Sequence, residues 1–525
     1  MVAVAIALVL ALALPAGAHG SAPVHADPVL EATVDAACRR AVAFIYDGQL
    51  DSAGVVVEQA AACAPGDPRV GLFRFRILRE NYPDDINEEE RAQRMVPAMI
   101  APLDQAIASC DSILKLDKRS PAGLLYRGWA RMMKAQVYAI ATQIWSAGTE
   151  ARKGKGDLDR YLDRYPKDPD AGVIVGGYLY FADILPSVIK FVKFLVRVPG
   201  GDRNRGLELL NAGAGADTYT GVDAKVVLAV VDYLFEGQVD EAIEIFGDLG
   251  ARYPHNPRVC ELLGSTAIVY PETSLRSLEI LTQVIEGWNG RVRGWGDLWF
   301  YRMRVSRARV LNQIGEHQAA QADLQAIAVA SPPDPFWMTP RALLSLSSLD
   351  ANLGLPDSAR AAAQKVLDNP RYERYHNQAR ALQNIQISPR QQQIFLELAR
   401  VRRQLFGRDR DPDSARVTIA AIRDRHGDDV RLTFLQAELD RQIGNQAQAR
   451  AAYQALVARA SDSGFDSVRL ISLIRLGEIE IAEKSYGAAR THYEEARRME
   501  SGATLLGNMI RGRLRFIEAA KEGKG

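Results

Sequence analysis

Seven histidines are the side chains best suited to acid–base or metal chemistry here, and their placement favours neither. His19 and His25 fall in an N-terminal segment of small and apolar residues, while His255, His317, His376, His426 and His492 stand singly in turns or on helix surfaces. A zinc site of the HExxH kind needs two imidazoles one helical turn apart with a carboxylate between them, and no such spacing occurs. The strained Ser elbow G-x-S-x-G and the phosphate-cradling Walker A sequence are also missing. The turn Pro199-Gly200-Gly201-Asp202 can offer backbone N–H groups to an anion at the start of the next helix. Its plainer role is a Gly turn with Asp202 as helix N-cap. The expectation is a protein that is not an enzyme, with no catalytic residue, metal or cofactor.

Four cysteines, Cys38, Cys63, Cys110 and Cys260, form no CxxC pair, which disfavours zinc and thioredoxin-type chemistry. Cys38 and Cys63 fall on two neighbouring helices and can pair in an oxidising compartment; two buried free thiols are the alternative. The side chains with most to offer a partner are aromatic and cationic. Trp288, Trp295, Trp299, Phe300 and Tyr301 lie close together, with Phe336 and Trp337 further on. Arg291, Arg293, Arg302, Arg304, Arg307 and Arg309 interleave with them. Aromatics make binding hot spots, and Arg can grip a carboxylate with two donors. The same aromatics can instead be core between helices, with the arginines a solvated face.

The elements that position these residues follow one ruler, clearest in residues 223–254. An apolar helix ends at Gly237, and a second amphipathic helix carries Ala242, Phe246 and Leu249 on one face before Pro254 stops it. Counted from the turn Gly, the spacings 5, 9, 12 and 17 recur from Gly48 to Ala53, Val57, Ala60 and Pro65. They recur from Gly315 to Ala320, Leu324, Ile327 and Pro332, and in large part from Gly354 (Ala359, Ala363, Val366) and Gly444 (Ala449, Tyr453, Leu456). A last unit carries Ala489, Tyr493 and Ala496. A small residue lets two helices approach, and the larger residue one turn later fills the space beside it. Between residues 79 and 205 the ruler fits poorly. There a long helix is expected over 120–145, with Lys153-Gly154-Lys155-Gly156 as an interruption.

This spacing resembles the tetratricopeptide repeat (TPR), a helix pair of about 34 residues. The resemblance implies an all-α, right-handed α-solenoid of antiparallel helix pairs, roughly nine of them. It also implies that the first helix of each pair lines a concave groove. That register turns Arg302, Val305, Arg309 and Asn312 inward before Gly315, and Arg431, Phe434, Glu438 and Arg441 inward before Gly444. A weaker local resemblance, over 185–210, is to the tetratricopeptide protein 39 and inclusion-body-clearance group. It rests on a Leu185-Pro186 helix followed by a Gly201-Asp202-Arg203 turn.

With 525 residues the chain is too long for one compact core, and its near-neutral net charge of +1 disfavours a nucleic-acid partner. Residues 2–15 are an apolar run, followed by the small-residue sites Ala16-Gly17-Ala18 and Val24-His25-Ala26, as in a secretory signal. The expected organisation is a signal peptide at 1–26 and an irregular helical region at 27–205. A TPR-like array at 206–370, a spacer at 371–390 and a second array at 391–520 follow. The expected function is a protein-binding scaffold of the bacterial periplasm or cell envelope that holds a partner protein or peptide in its groove. Any membrane association would be through that partner. The alternative is a helical accessory component of an envelope enzyme or transport system.

Overall fold

The computed structural model describes residues 22–81, 94–184, 200–236, 238–253, 256, 270–287, 296–332, 338–463, 465–500 and 505–521. These residues form 23 α-helices and no strand, an all-α solenoid. They divide into two compact units, the first ending at Val231 and the second beginning at Asp232. The boundary expected at 205/206 therefore falls inside the first unit.

The first unit contains α1 (Pro28–Tyr46), α2 (Leu50–Cys63), α3 (Pro68–Asn81), α4 (Val96–Leu116), α5 (Pro121–Ile140), α6 (Ile144–Leu162), α7 (Pro169–Ile184), α8 (Arg203–Ala214) and α9 (Tyr219–Val231). Each of the first six helices packs on its successor in the chain, and α8 packs on both α7 and α9. Caps explain the starts. Asp27 accepts from the Val29 N–H ahead of α1, with Pro28 in the first turn, where its missing N–H costs nothing. Asp202 likewise caps α8 by accepting from the Arg205 N–H at 2.9 Å. Cys38 is buried, Cys63 is exposed, and no disulfide joins them.

The second unit opens on a π-helical turn (Asp232–Glu236), then α10 (Val239–Arg252), a 3-10 turn (Pro271–Thr273) and α11 (Ser274–Gly287). It continues with α12 (Gly296–Gln313), α13 (His317–Ala330), α14 (Met338–Asn352) and α15 (Pro356–Leu367). The expected spacer is itself structured, as a 3-10 turn (Pro370–Tyr375) and α16 (His376–Gln383). The unit ends with α17 (Pro389–Phe406), α18 (Pro412–His426), α19 (Val430–Gln442), α20 (Gln446–Ser463), α21 (Asp466–Ala482), α22 (Tyr486–Met499) and α23 (Leu505–Lys521). The last helix packs back on the first turn: a Cβ added at Gly512 would lie 2.2 Å from the Leu234 carbonyl oxygen.

Every apolar residue named by the ruler, from Ala53 to Ala496, is no more than 5 % exposed. Gly48, Gly315, Gly354 and Gly444 all have φ between 76° and 85°, the left-handed backbone that ends the first helix of each pair. Gly315 is doubly constrained, since an added Cβ would meet the Ala399 carbonyl oxygen at 2.3 Å. Gly237 and Pro254, from the repeat that defined the ruler, lie outside the described residues.

The structure corrects the reading of 120–156. The long helix expected over 120–145 is α5, which ends at Ile140; the chain turns at Thr142, with φ 59°, and α6 begins at Ile144. Lys153-Gly154-Lys155-Gly156 interrupts nothing: it runs inside α6, and Gly154 is buried. Counted from Thr142, the ruler falls on Ala147, Ala151 and Gly154, so this pair is a repeat whose turn residue is Thr instead of Gly. Lys484 plays the same part before Ala489, also at φ 59°.

Candidate groove between two repeat helices

Two helices of the second unit each present one stripe at helical spacing. On α12 the stripe is Val305, Ala308, Arg309 and Asn312; on α14 it is Arg341, Leu344, Ser345, Ser348, Leu349 and Asn352. Residues three, four and seven apart share a helix face, so both stripes can line one cavity. That cavity has a volume of about 560 Å³ and is completed by Leu324, Tyr375, Gln378 and Phe395. Val305, Ala308, Leu324, Leu344 and Leu349 are buried and give it an apolar floor. Arg309, Asn312, Arg341 and Ser345 are exposed along its edge.

The electrostatics of this groove are one-sided. Among the described residues, two guanidinium groups line it and no carboxylate does. The acids nearest in sequence are committed elsewhere: Asp323 accepts from Arg304 and Arg307 at 2.7–3.0 Å, and Asp350 accepts from Gln321 and Ser358. An anionic guest would meet bidentate donors at Arg309 and Arg341 and neutral donors at the Asn, Ser, Gln and Tyr side chains.

Beside Phe395, the His317 ring stacks at 4.3 Å between centroids and 17° between planes. It is only 5 % exposed, and neither ring nitrogen has a hydrogen-bond partner. Burial, with Arg402 and Arg403 adding to it, pushes the imidazole down to about 4. A buried neutral histidine stabilises the fold fully above its unfolded pKa of about 6.5, and that contribution is lost as pH falls towards 4. Urea titrations should therefore show wild type losing on the order of 3 kcal/mol from this group between pH 7 and pH 4. His317→Leu should flatten that part of the pH dependence; an unchanged slope would remove His317 as its source.

The expected site residues divide into four groups. Arg309 and Asn312 come together in the groove, with Val305 one turn before Arg309. Arg302 is half-buried on the same helix but does not line it. Trp295 and the side chain of Trp299 lie outside the described residues, as do Trp288, Phe336 and Trp337. Arg431, Phe434 and Glu438 belong to another surface. Arg431 pairs with Asp429 at 2.9 Å and lies over the Phe465 ring, and half-buried Phe434 packs against the core around Tyr453. Glu438 needs correction as a partner-binding residue, because it is 0 % exposed. Its carboxylate accepts from Tyr453 at 2.7 Å, Arg441 at 2.9 Å and Arg475 at 3.0 Å. Burial raises that carboxyl group, but Arg475 and Arg441 outweigh it and hold it at about 2.

Arg341, Ser345, Ser348 and Asn352 were missed; the same first-helix register applied to the Gly354 unit gives Arg341, Leu344, Ser348 and Ala351, and so would have found the first and third of them. Tyr375, Gln378 and Phe395 carried no such signal, since they come from the spacer and the helix after it.

Residues 433–463 match the family model described as tetratricopeptide repeat, a stretch that spans most of α19 and all of α20. No curated protein matches the chain. Among solved structures, the TPR domain of P58(IPK) is 13% identical, over 83% of this chain and 99% of that one, with a TM-score of 0.21. The human IFIT1 dimer with PPP-AAAA is 12% identical, over 88% of this chain and 95% of that one, with a TM-score of 0.30. Residues 433–463 are therefore read as one tetratricopeptide repeat within an all-α solenoid, and the helix spacing of this repeat recurs on both sides of it.

Proposed function

We propose that this chain is a non-enzymatic scaffold of the bacterial periplasm or cell envelope, and that the groove between α12 and α14 holds an acidic segment of a partner protein. The TPR fold itself suggests a protein-interaction scaffold. The observation that carries the finer reading is the pair of matched stripes, with Arg309 and Arg341 above an apolar floor and no carboxylate among the described lining residues. Export is supported by the apolar run at 2–15 and the small-residue sites after it. Of those sites, Ala18 suits the fold better than Ala26. His25 pairs with Asp67 at 2.9 Å, and the backbone N–H groups of Val24 and His25 donate to Glu31. Cleavage after Ala18 keeps these contacts, and cleavage after Ala26 removes them.

The test is charge reversal. Partners are captured from envelope extract with wild type and with Arg309→Glu/Arg341→Glu, both checked for helicity. Each charge-assisted contact contributes about 1.5–3 kcal/mol, so the double variant should bind the principal partner at least ~10-fold more weakly. Added salt should weaken the wild-type complex as well. Identical partner lists and affinities would sink this groove as the binding site.

A further inference from the structure

The second unit has another surface built from first helices of repeat pairs, and part of the chain itself sits on it. Tyr270 and Glu272 are brought to residues of α19, α21 and α23 that lie 169 to 243 positions away in sequence. The Tyr270 hydroxyl donates to Glu478 at 2.8 Å and accepts from Arg513 at 3.3 Å. The Arg475 guanidinium lies 5.4 Å over the Tyr270 ring, and the Met509 sulfur is 3.7 Å from the hydroxyl. Glu272 accepts from Arg441 at 3.1 Å.

The manner of holding is that of a bound peptide. Tyr270 has extended backbone, φ −117° and ψ 80°, ahead of the Pro271 turn. Its ring is 7 % exposed, while the Glu272 side chain stays 35 % exposed at the edge. Repeat pairs elsewhere in this unit join through Ala, Leu and Tyr; here the joint is Tyr270, edge-on to the Tyr233 ring at 6.4 Å, with two carboxylates, Glu272 and Glu478, and three arginines. Buried ion pairs contribute little net stability, because desolvation offsets most of their attraction. An occupant held this way is therefore easier to exchange than one held by apolar core. The segment also leaves capacity unused: Nε of Arg441 is buried with no acceptor.

We propose that the α19–α21–α23 surface is a second peptide-binding groove, occupied here by the chain's own Tyr270-Pro271-Glu272, and that it accepts a partner segment carrying an aromatic residue followed two positions later by an acidic one. The internal segment competes at an effective concentration of roughly millimolar, so it masks the groove from weak ligands and yields to a partner that engages more of the arginine donors.

The experiment uses a fluorescently labelled peptide of residues 269–275, Val-Tyr-Pro-Glu-Thr-Ser-Leu, titrated into the full chain. Tyr270→Ala/Glu272→Ala should empty the groove and bind the peptide at least ~10-fold more tightly than wild type. Adding Arg441→Gln and Arg513→Gln should abolish that gain, and a peptide with Ala in place of Tyr should not bind. If the folded double variant binds no better than wild type, or binds equally without the two arginines, the segment is a fixed part of the fold and the proposal is overturned. Should the double variant lose its helical signal, Tyr270→Phe serves instead. It keeps the ring and removes only the hydroxyl contacts to Glu478 and Arg513, and should bind several-fold more tightly than wild type. Equal binding by Tyr270→Phe and wild type would overturn the proposal as well.

Discussion

Glu438→Ala is expected to destabilise the second unit by about 3–5 kcal/mol, the usual cost of leaving a buried charge without its partner. Arg475 is 1 % exposed and Glu438 0 %, so water cannot replace the lost carboxylate, and Arg475 keeps only Glu478, at 2.9 Å, as a counter-charge. Tyr453, also 0 % exposed, loses the acceptor for its hydroxyl at the same time. Urea unfolding with hydrogen exchange read over α19–α22 measures the effect. A loss below about 1 kcal/mol would mean that the pair's attraction does no more than offset its desolvation. Tyr453→Phe is the calibrating variant; it removes one hydrogen bond and should cost only about 1 kcal/mol. The same carboxylate makes the unit acid-sensitive. Its folded-state pKa is depressed, so its contribution is complete above the ordinary Glu value of about 4.3 and disappears as pH falls through about 2.

Asp223→Ala should have an effect of similar size, about 3–5 kcal/mol, in the first unit. Asp223 on α9 accepts from Arg76 of α3 at 2.9 and 3.2 Å and from the Tyr46 hydroxyl of α1. The acid is 2 % exposed, Arg76 4 % and Tyr46 8 %. Nε and Nη1 of Arg76 already lack hydrogen-bond partners, so its ion pair with Asp223 is its main compensation for burial. Three helices from opposite ends of the unit meet at this carboxylate, and its loss should show as faster amide exchange in α1, α3 and α9 together. The double change Asp223→Leu/Arg76→Met replaces the pair by apolar groups and should recover most of the loss. Failure to recover it would point to Tyr46 as the group that needs the acid.

The chemistry of these two pairs was not legible in the sequence, although both acids stood in segments singled out there. Asp223 opens the stretch from which the ruler was drawn, and Glu438 fell on the expected groove face. The register put Glu438 on the groove face, but the structure buries it against Tyr453 of its partner helix. The register could not tell that Arg475, one repeat later, would bury that carboxylate, or that Glu272 would come to Arg441. In the other groove the register picked out Arg309 and Asn312, which line the cavity, and missed Tyr375, Gln378 and Phe395. Those three reach the cavity through the path of the spacer, which no periodicity encodes.

What the sequence by itself determined is the repeat. Ala242, Phe246 and Leu249 and their counterparts are set by contacts within one helix pair, and 3.6 residues per turn writes those contacts into the spacing. Even here, Thr142 and Lys484 hid two turns, because a left-handed turn favours Gly without requiring it. Only the tertiary structure decided which charged residues are buried and which face an open groove. That outcome depends on pairings such as Tyr270 with Glu478, 208 residues apart, where a guanidinium or carboxylate is buried when a distant partner reaches it and stays in water when none does.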